Sequence, residues 1–274
     1  MQDFTDGENG ALGFCVGTAL TLLVQPLKCW KNAAQVGRPL PLDPRVVYIG
    51  VGTSWIKEVG ELGLQFGCTG MFKRLAGGVS APEVAEVSGA IAGGVVTAPF
   101  CSVLELVLLQ QQRARGGTTW STLQSICRIH GFGTRGMLRG VVPSMVRDGI
   151  YVGGMLGATP MLRSALASWL DIPDAAASLP ASLVVGTAAG VVSHPLDTIK
   201  TRMAGGDLGR SSPAAQGPLR ALVFFRRLVR SAKGVTLMNG VSARTADIVI
   251  ACLVSDLLSS WLPPYLRLLS SAGT

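Results

Sequence analysis

Charge is scarce in this sequence. Asp, Glu, Lys and Arg together make up 15% of the 274 residues, where soluble domains carry about 25%. The shortage excludes a disordered chain, which needs low hydrophobicity and high charge. It also argues against the two soluble domains that length alone invites. Histidine is scarcer still, with His130 and His194 only, too few for most metal chemistry. The cysteines Cys15, Cys29, Cys68, Cys101, Cys127 and Cys252 are scattered without a CxxC pair, and read as small buried hydrophobes rather than ligands. There is no G-x-S-x-G, no Walker motif and no metal-ligand cluster. Val46 to Gly52 resembles a strand entering a dinucleotide loop, but Trp55 stands where the third glycine belongs. Neither an enzyme nor a cofactor or metal is expected.

What the chain has instead is apolar surface. Hydrophobic residues reach 48% and the mean hydropathy is +0.43. The 35 glycines follow no collagen-like period, and a composition rich in Gly and Ala suits helices packed closely in a bilayer. Apolar stretches lie at about 10–35, 50–75, 84–112, 141–166, 179–203 and 241–266, each long enough to cross a membrane as a helix.

The connections between these stretches sort by charge. Asp3, Asp6 and Glu8 precede the first stretch, Glu83 and Glu86 follow the second, and Asp171 and Asp174 follow the fourth. The other connections are basic: Arg38 and Arg45, then Arg115, Arg128, Arg135 and Arg139, then Arg210, Arg220, Arg226, Arg227, Arg230 and Lys233. Alternation of this kind follows the positive-inside pattern of a six-helix membrane protein, with both termini on the acidic side. Within the basic loops, Trp120–His130 and Pro218–Val229 read as short amphipathic helices lying at the interface. Arg226, Arg227 and Arg230 come with no aromatic platform or base-reading motif, so nucleic acid is not an expected partner. The acidic opening MQDFTDGENG is neither a secretory signal nor an Arg-rich transit peptide, so any organelle address is expected inside the mature chain.

The pattern recurs three times. Gly50, Gly140 and Gly240 each open an even-numbered stretch, and Lys57, Arg147 and Asp247 each follow seven residues later. The odd stretches carry small pairs four residues apart, Gly13/Gly17, Ala90/Gly94 and Ser182/Gly186, with Pro26, Val103 and Pro195 nine positions beyond the second member. The expected fold is all-α: six transmembrane helices in three pseudo-repeats (1–82, 83–177 and 178–274) around a central cavity, with short amphipathic loop helices. Only about a dozen residues separate Gln35 from Tyr48, so the first repeat is expected to lack its loop helix.

The run Pro195-Leu196-Asp197-Thr198-Ile199-Lys200-Thr201-Arg202 resembles the signature of the mitochondrial carrier family, and the repeats extend that resemblance over nearly the whole chain. It implies a multi-pass protein of the mitochondrial inner membrane, termini toward the intermembrane space, moving solutes through a central cavity by alternating access. It also implies a lipid bilayer containing cardiolipin as partner. In the family the acid of one repeat pairs with the base of the next to close a matrix gate. Here the acid positions are Lys28, Glu105 and Asp197 and the base positions Lys31, Leu108 and Lys200. Glu105–Lys200 and Asp197–Lys31 are therefore expected pairs, with Gln35 and Gln112 at bracing positions and Ala204 at the third. An alternative register on Pro99 would put Cys101 and Leu104 in place of Glu105 and Leu108. At the opposite gate the acid positions hold Gly70, Pro160 and Ser260 and the base positions Lys73, Arg163 and Pro263, leaving Lys73 and Arg163 without an expected acid.

By the same resemblance Lys57, Glu58, Arg147, Asp148 and Asp247 face the cavity. The pair Arg147-Asp148 is similar to one found in members that carry amino acids or carnitine. Ionisable groups at such depth are functional candidates by default; the other reading is that they pair with one another across the cavity and hold the repeats together. Two functions stay open: a carrier of a small metabolite, or a non-transporting relative built into a larger inner-membrane complex. Lys28, Leu108 and the missing loop helix favour the second.

Overall fold

A computed structural model describes residues 6–36, 39–78, 81–114, 117–133, 136–138, 140–204 and 238–272. The helix read at Pro218–Val229 lies outside them. The described residues form helices α1 (Asp6–Val36), α2 (Pro44–Val47), α3 (Val51–Gly77), α4 (Pro82–Ala114), α5 (Thr119–His130), α6 (Val141–Val152), α7 (Thr159–Leu170), α8 (Asp174–Ala204) and α9 (Val241–Ala272). A π-helical turn, Gly153–Ala158, joins α6 to α7 as one rod. Such turns occur mostly as interruptions of α-helices and often at functional sites.

The rods close a ring in chain order. Each of α1, α3, α4, the α6–α7 rod and α8 packs on its successor, and α9 packs back on α1. Small residues set the spacing within each hairpin. A Cβ placed on Gly17 of α1 would stand 2.7 Å from Val59 Cα of α3, and one on Gly186 of α8 would stand 2.8 Å from Val249 Cα of α9. Glycine is what allows backbones this close.

The ring is apolar outside and mixed inside. Leu22, Leu23, Val96, Val184 and Val192 face outward and are exposed, whereas Gln25, Lys31, Lys57, Glu58, Arg147, Asp197 and Lys200 are buried. That is the reverse of the usual soluble distribution. Leu12–Gln35, Pro82–Gln112 and Asp174–Thr201 are long and apolar enough to cross a membrane; all three lie on odd-numbered rods. Of the six stretches expected to be long and apolar enough to cross, three are so among the described residues. The even rods depart from that expectation for physical reasons: α3 carries Lys57, Glu58 and Glu61 inward, and the π turn divides the fourth rod.

The interior is also less uniformly polar than a carrier cavity implies. Leu12, Leu62, Phe66, Met155, Leu156 and Cys252 belong to one buried apolar cluster. On α3, on the π turn after α6, and on α9 these residues follow the inward charges in the direction of the acidic connections, so an apolar layer caps a charged one.

Gly50, Gly140 and Gly240 precede α3, α6 and α9 with φ of +78°, +80° and +84°. Each abuts the next odd rod: Gly50 meets Leu108 and Gln111, Gly140 meets Lys200, and Gly240 meets Lys31 and Ala34. Forcing a Cβ into the left-handed region costs about 1–2 kcal/mol. Gly140→Ala is therefore expected to lower the thermal unfolding midpoint of the detergent-purified protein by a few degrees, read by intrinsic fluorescence.

The loop helices follow the sequence in part. α5 starts where Thr118 Oγ1 accepts from Ser121 N at 3.2 Å, an N-cap. Its Ile126 is buried, and Leu123 packs against Leu106, Val107 and Leu109 of α4. Trp120, expected on that same face, is instead 67% exposed. In the first connection a single turn survives, α2, capped by Asp43 Oδ1 on Arg45 N at 2.9 Å.

Candidate functional site

Helical spacing assembles the cavity wall on α3. Lys57 and Glu61 are one turn apart, and Lys57 Nζ lies 2.7 Å from Glu61 Oε2 and 2.7 Å from Glu58 Oε1. Lys28 of α1 reaches the same Glu58 oxygen at 2.8 Å. The expected acid position of the first repeat thus holds a base that finds its acid on the neighbouring rod. On α9, Arg244 pairs with Asp247 at 3.3 Å, and its guanidinium sits 5.7 Å from the ring centroid of Tyr151 on α6.

Arg147 of α6 is the centre of a second group. Its Nη1 and Nη2 donate to the two oxygens of Glu105 at 3.0 Å each, Nη1 also donates to Asp197 Oδ1 at 2.8 Å, and Nε donates to Asp148 Oδ1 at 2.7 Å. Glu105 pairs further with Lys200, and Asp197 with Lys31 at 3.0 Å. Gln35 Nε2 donates to Asp197 Oδ2 at 2.8 Å. The order Lys31, Asp197, Arg147, Glu105, Lys200 alternates in sign and crosses α1, α8, α6 and α4. Between α1 and α4, where Lys28 and Leu108 stand at the gate positions, the link is a neutral one: Asn32 Nδ2 to Gln112 Oε1 at 2.9 Å.

Many of these groups line one cavity between the rods. Lys28, Lys31, Lys57, Arg147 and Arg244 face it, matched by Glu58, Glu61, Glu105, Asp148 and Asp247, so its charged lining is formally neutral. Buried ions survive only when paired and hydrogen-bonded, and the pairing here comes from partners on the same rod and on neighbouring ones. Among the described residues Lys57, Arg147 and Asp247 form no ion pair with one another; each is held by different groups. No group of three or more His, Cys, Asp or Glu is placed to hold a metal ion among the described residues.

The geometry gathers the residues singled out from sequence and adds some that were not. Glu61, Arg244 and Asp256 were passed over, and Lys28 was read only as a base at an acid position. Lys57 and Glu61 carried a signal, opposite charges one turn apart inside an apolar stretch, as did Arg244 and Asp247 at three residues. One expectation is corrected: Arg163 does have an acid. Its Nη1 lies 2.7 Å from Asp256 Oδ1 of α9, one turn before the serine at which the resemblance placed the acid.

The described helices form a closed ring, apolar outside, around a cavity whose charged lining is balanced. Residues 173–262 match the family model described as mitochondrial carrier protein. A stretch of 155 residues is 30% identical to the mitochondrial thiamine pyrophosphate carrier 1 of Aspergillus niger, covering 54% of this chain and 44% of that one. Over part of its length the chain is thus similar to mitochondrial carriers. The match spans less than half the length of the relative, and the cargo in that relative's name is thiamine pyrophosphate rather than an amino acid or carnitine.

Proposed function

We propose that the chain is a solute carrier of the mitochondrial inner membrane that moves, by alternating access, a small metabolite bearing charges of both signs. The observation that supports it is the cavity lining, five bases against five acids, all of them already held in ion pairs. A solute of a single sign would leave one set of partners unsatisfied in a site where an unpaired charge is costly. A solute with both signs can exchange partner for partner. Amino acids and carnitine have that character, and so does thiamine pyrophosphate, with its cationic ring and anionic diphosphate.

In this reading the network from Lys31 to Lys200, braced by Gln35 and Gln112, is the matrix gate in its closed form. Lys57, Glu58, Arg147, Asp148 and Asp247 are the substrate contacts. Six spans in three repeats are supported by the matched left-handed glycines at 50, 140 and 240, each opening an even rod and abutting the next odd one. Both termini would face the intermembrane space, and cardiolipin would be among the surrounding lipids. The test is counter-exchange in liposomes with radiolabelled thiamine pyrophosphate, carnitine and amino acids. Saturable uptake of at least one is expected, lowered about tenfold by Lys57→Gln, the scale of one lost charge-assisted contact. Absence of exchange for every solute, with comigration in a large assembly on native gels, would return the chain to the role of a docked subunit.

A further inference from the structure

Most charges in the cavity wall are answered from within it: Lys57 and Arg147 each hold two or more carboxylates. Buried polar atoms are hydrogen-bonded as a rule, yet three atoms of the charged lining have no hydrogen bond among the described residues. Asp148 is 1% exposed; its Oδ1 accepts from Arg147 at 2.7 Å, and its Oδ2 has no partner. Glu61 of α3 accepts from Gln65 Nε2 on Oε1 at 3.0 Å. Its Oε2 has the charge of Lys57 beside it at 2.7 Å but accepts no hydrogen bond there. The two carboxylates are near enough to repel each other. The third atom is a donor. Arg244 of α9 reaches Asp247 loosely, through Nη1 at 3.3 Å, and its Nε has no partner. Tyr151 borders both sets: it follows Asp148 by three residues on one face of α6, and the Arg244 guanidinium sits 5.7 Å from its ring centroid. Asp148, Glu61, Tyr151 and Arg244 all line the cavity.

We propose that these atoms form a bipolar subsite, in which Asp148 Oδ2 and Glu61 Oε2 take N–H groups of the solute's cation and Arg244 Nε takes an oxygen of its anion. The proposal rests on the carrier reading and narrows the solute to one whose positive group carries N–H donors, a primary ammonium or a guanidinium. A carboxylate oxygen short of a donor is satisfied by an N–H and not by a methyl group. Leaving such a buried acceptor unmet costs more than an ordinary hydrogen bond gains. Two acidic oxygens side by side also call for a group with at least two donors. A quaternary ammonium has the charge but no donor, so the subsite selects against carnitine-like solutes even though the lining is balanced in charge. The negative group is an oxyanion, since the Nε of a guanidinium donates and cannot accept. Glu61 and Arg244 are therefore specificity-determining residues, one for each end of the solute.

The test uses the full chain, in detergent for binding and in liposomes for counter-exchange, with matched solutes that differ only at one end. γ-Amino-β-hydroxybutyrate is set against carnitine, its N-trimethyl counterpart, and β-alanine and γ-aminobutyrate against their N-trimethyl betaines. Each amine is also set against its methyl ester, which removes the anion. Binding is read from the rise of the unfolding midpoint with solute concentration. The amine is expected to bind about 10- to 100-fold more tightly than its betaine, the weight of a hydrogen bond to a charged group, and to exchange in preference to it. Glu61→Gln is expected to shrink that ratio about 3- to 10-fold and to leave the ratio of acid to ester unchanged, the loss being that of charge assistance at one acceptor. Arg244→Gln is expected to do the converse. A residue with only a structural role weakens all the solutes alike, so ratios that move in neither variant overturn the assignment of Glu61 and Arg244. The comparison of amine with betaine needs no variant, and it stands where a variant does not fold. Betaines that bind and exchange as well as the amines overturn the subsite alone, as does a chain that exchanges thiamine pyrophosphate and binds none of the amines. The expected preference in a chain that moves no solute sustains the subsite and overturns the carrier reading.

Discussion

Arg147→Leu is expected to destabilise the protein by about 3–5 kcal/mol, the range found when one member of a buried ionic cluster is removed, and to abolish transport. Glu105, Asp148 and Asp197 all accept hydrogen bonds from this one guanidinium. Lys200 and Lys31 remain for Glu105 and Asp197, but Asp148 loses the ion pair it makes through Oδ1, and its other oxygen has no hydrogen-bond partner. Leucine fills volume without replacing any of these bonds, so the carboxylates are left short of donors where water is scarce. Arg147→Lys separates the two contributions. It keeps the charge but cannot span both oxygens of Glu105 while reaching Asp197, because the paired donors of guanidinium have no counterpart in an ammonium group. Its stability loss should fall well below that of the leucine variant, with transport still impaired. The measurements are thermal unfolding in detergent and counter-exchange in liposomes. Equal stability for wild type and Arg147→Leu would remove Arg147 from the centre of the network.

The identity of Arg147 was legible in the sequence and its connections were not. Its spacing from Gly140 repeats that of Lys57 from Gly50, which places it at one level of an even rod. That it would reach Glu105 and Asp197 depends on the distance between α6, α4 and α8, which is set by packing that no spacing within one rod encodes. Glu105 illustrates the converse. Two registers were open for the second repeat, one on Pro99 and one on Val103, and the carboxylate at 105 meets both Arg147 and Lys200, whereas Cys101 of the other register is buried with no charge to offer. The third-repeat run from Pro195 to Lys200 needed no such choice, since proline, acid and base all stand in it.

The even rods were harder to read than the odd ones. α3 buries Lys57, Glu58 and Glu61 close together, so hydropathy falls where the rod carries its inward charges. The π turn at Gly153–Ala158 left no mark that a run of small residues would not also leave. Lys28 is a different case: a base at an acid position reads as a broken gate, and only the approach of α1 to α3 turns it into a partner for Glu58. That approach was itself written in the small pair Gly13/Gly17, which leads to a second large effect.

Gly17→Leu is expected to destabilise the fold by about 3 kcal/mol or more, the upper range of overpacking. The first atom added already collides: a Cβ at Gly17 would stand 2.7 Å from Val59 Cα, 2.8 Å from Val59 N and 2.9 Å from Glu58 C. All three are backbone atoms of α3 and cannot rotate aside, so α1 and α3 must separate along their length. Separation then pulls Lys28 away from Glu58, and the effect spreads from packing into the charged wall of the cavity. A control lies in the same hairpin. A Cβ at Gly67 of α3 meets nothing within 4 Å, so Gly67→Ala should be neutral or raise stability by up to about 1 kcal/mol through helix propensity. The two glycines differ only in what stands opposite them, and unfolding midpoints of the two variants should move apart accordingly. Similar losses at 17 and 67 would mean that the α1–α3 contact is looser than the backbone distances require, and that Lys28 is held to Glu58 by charge alone.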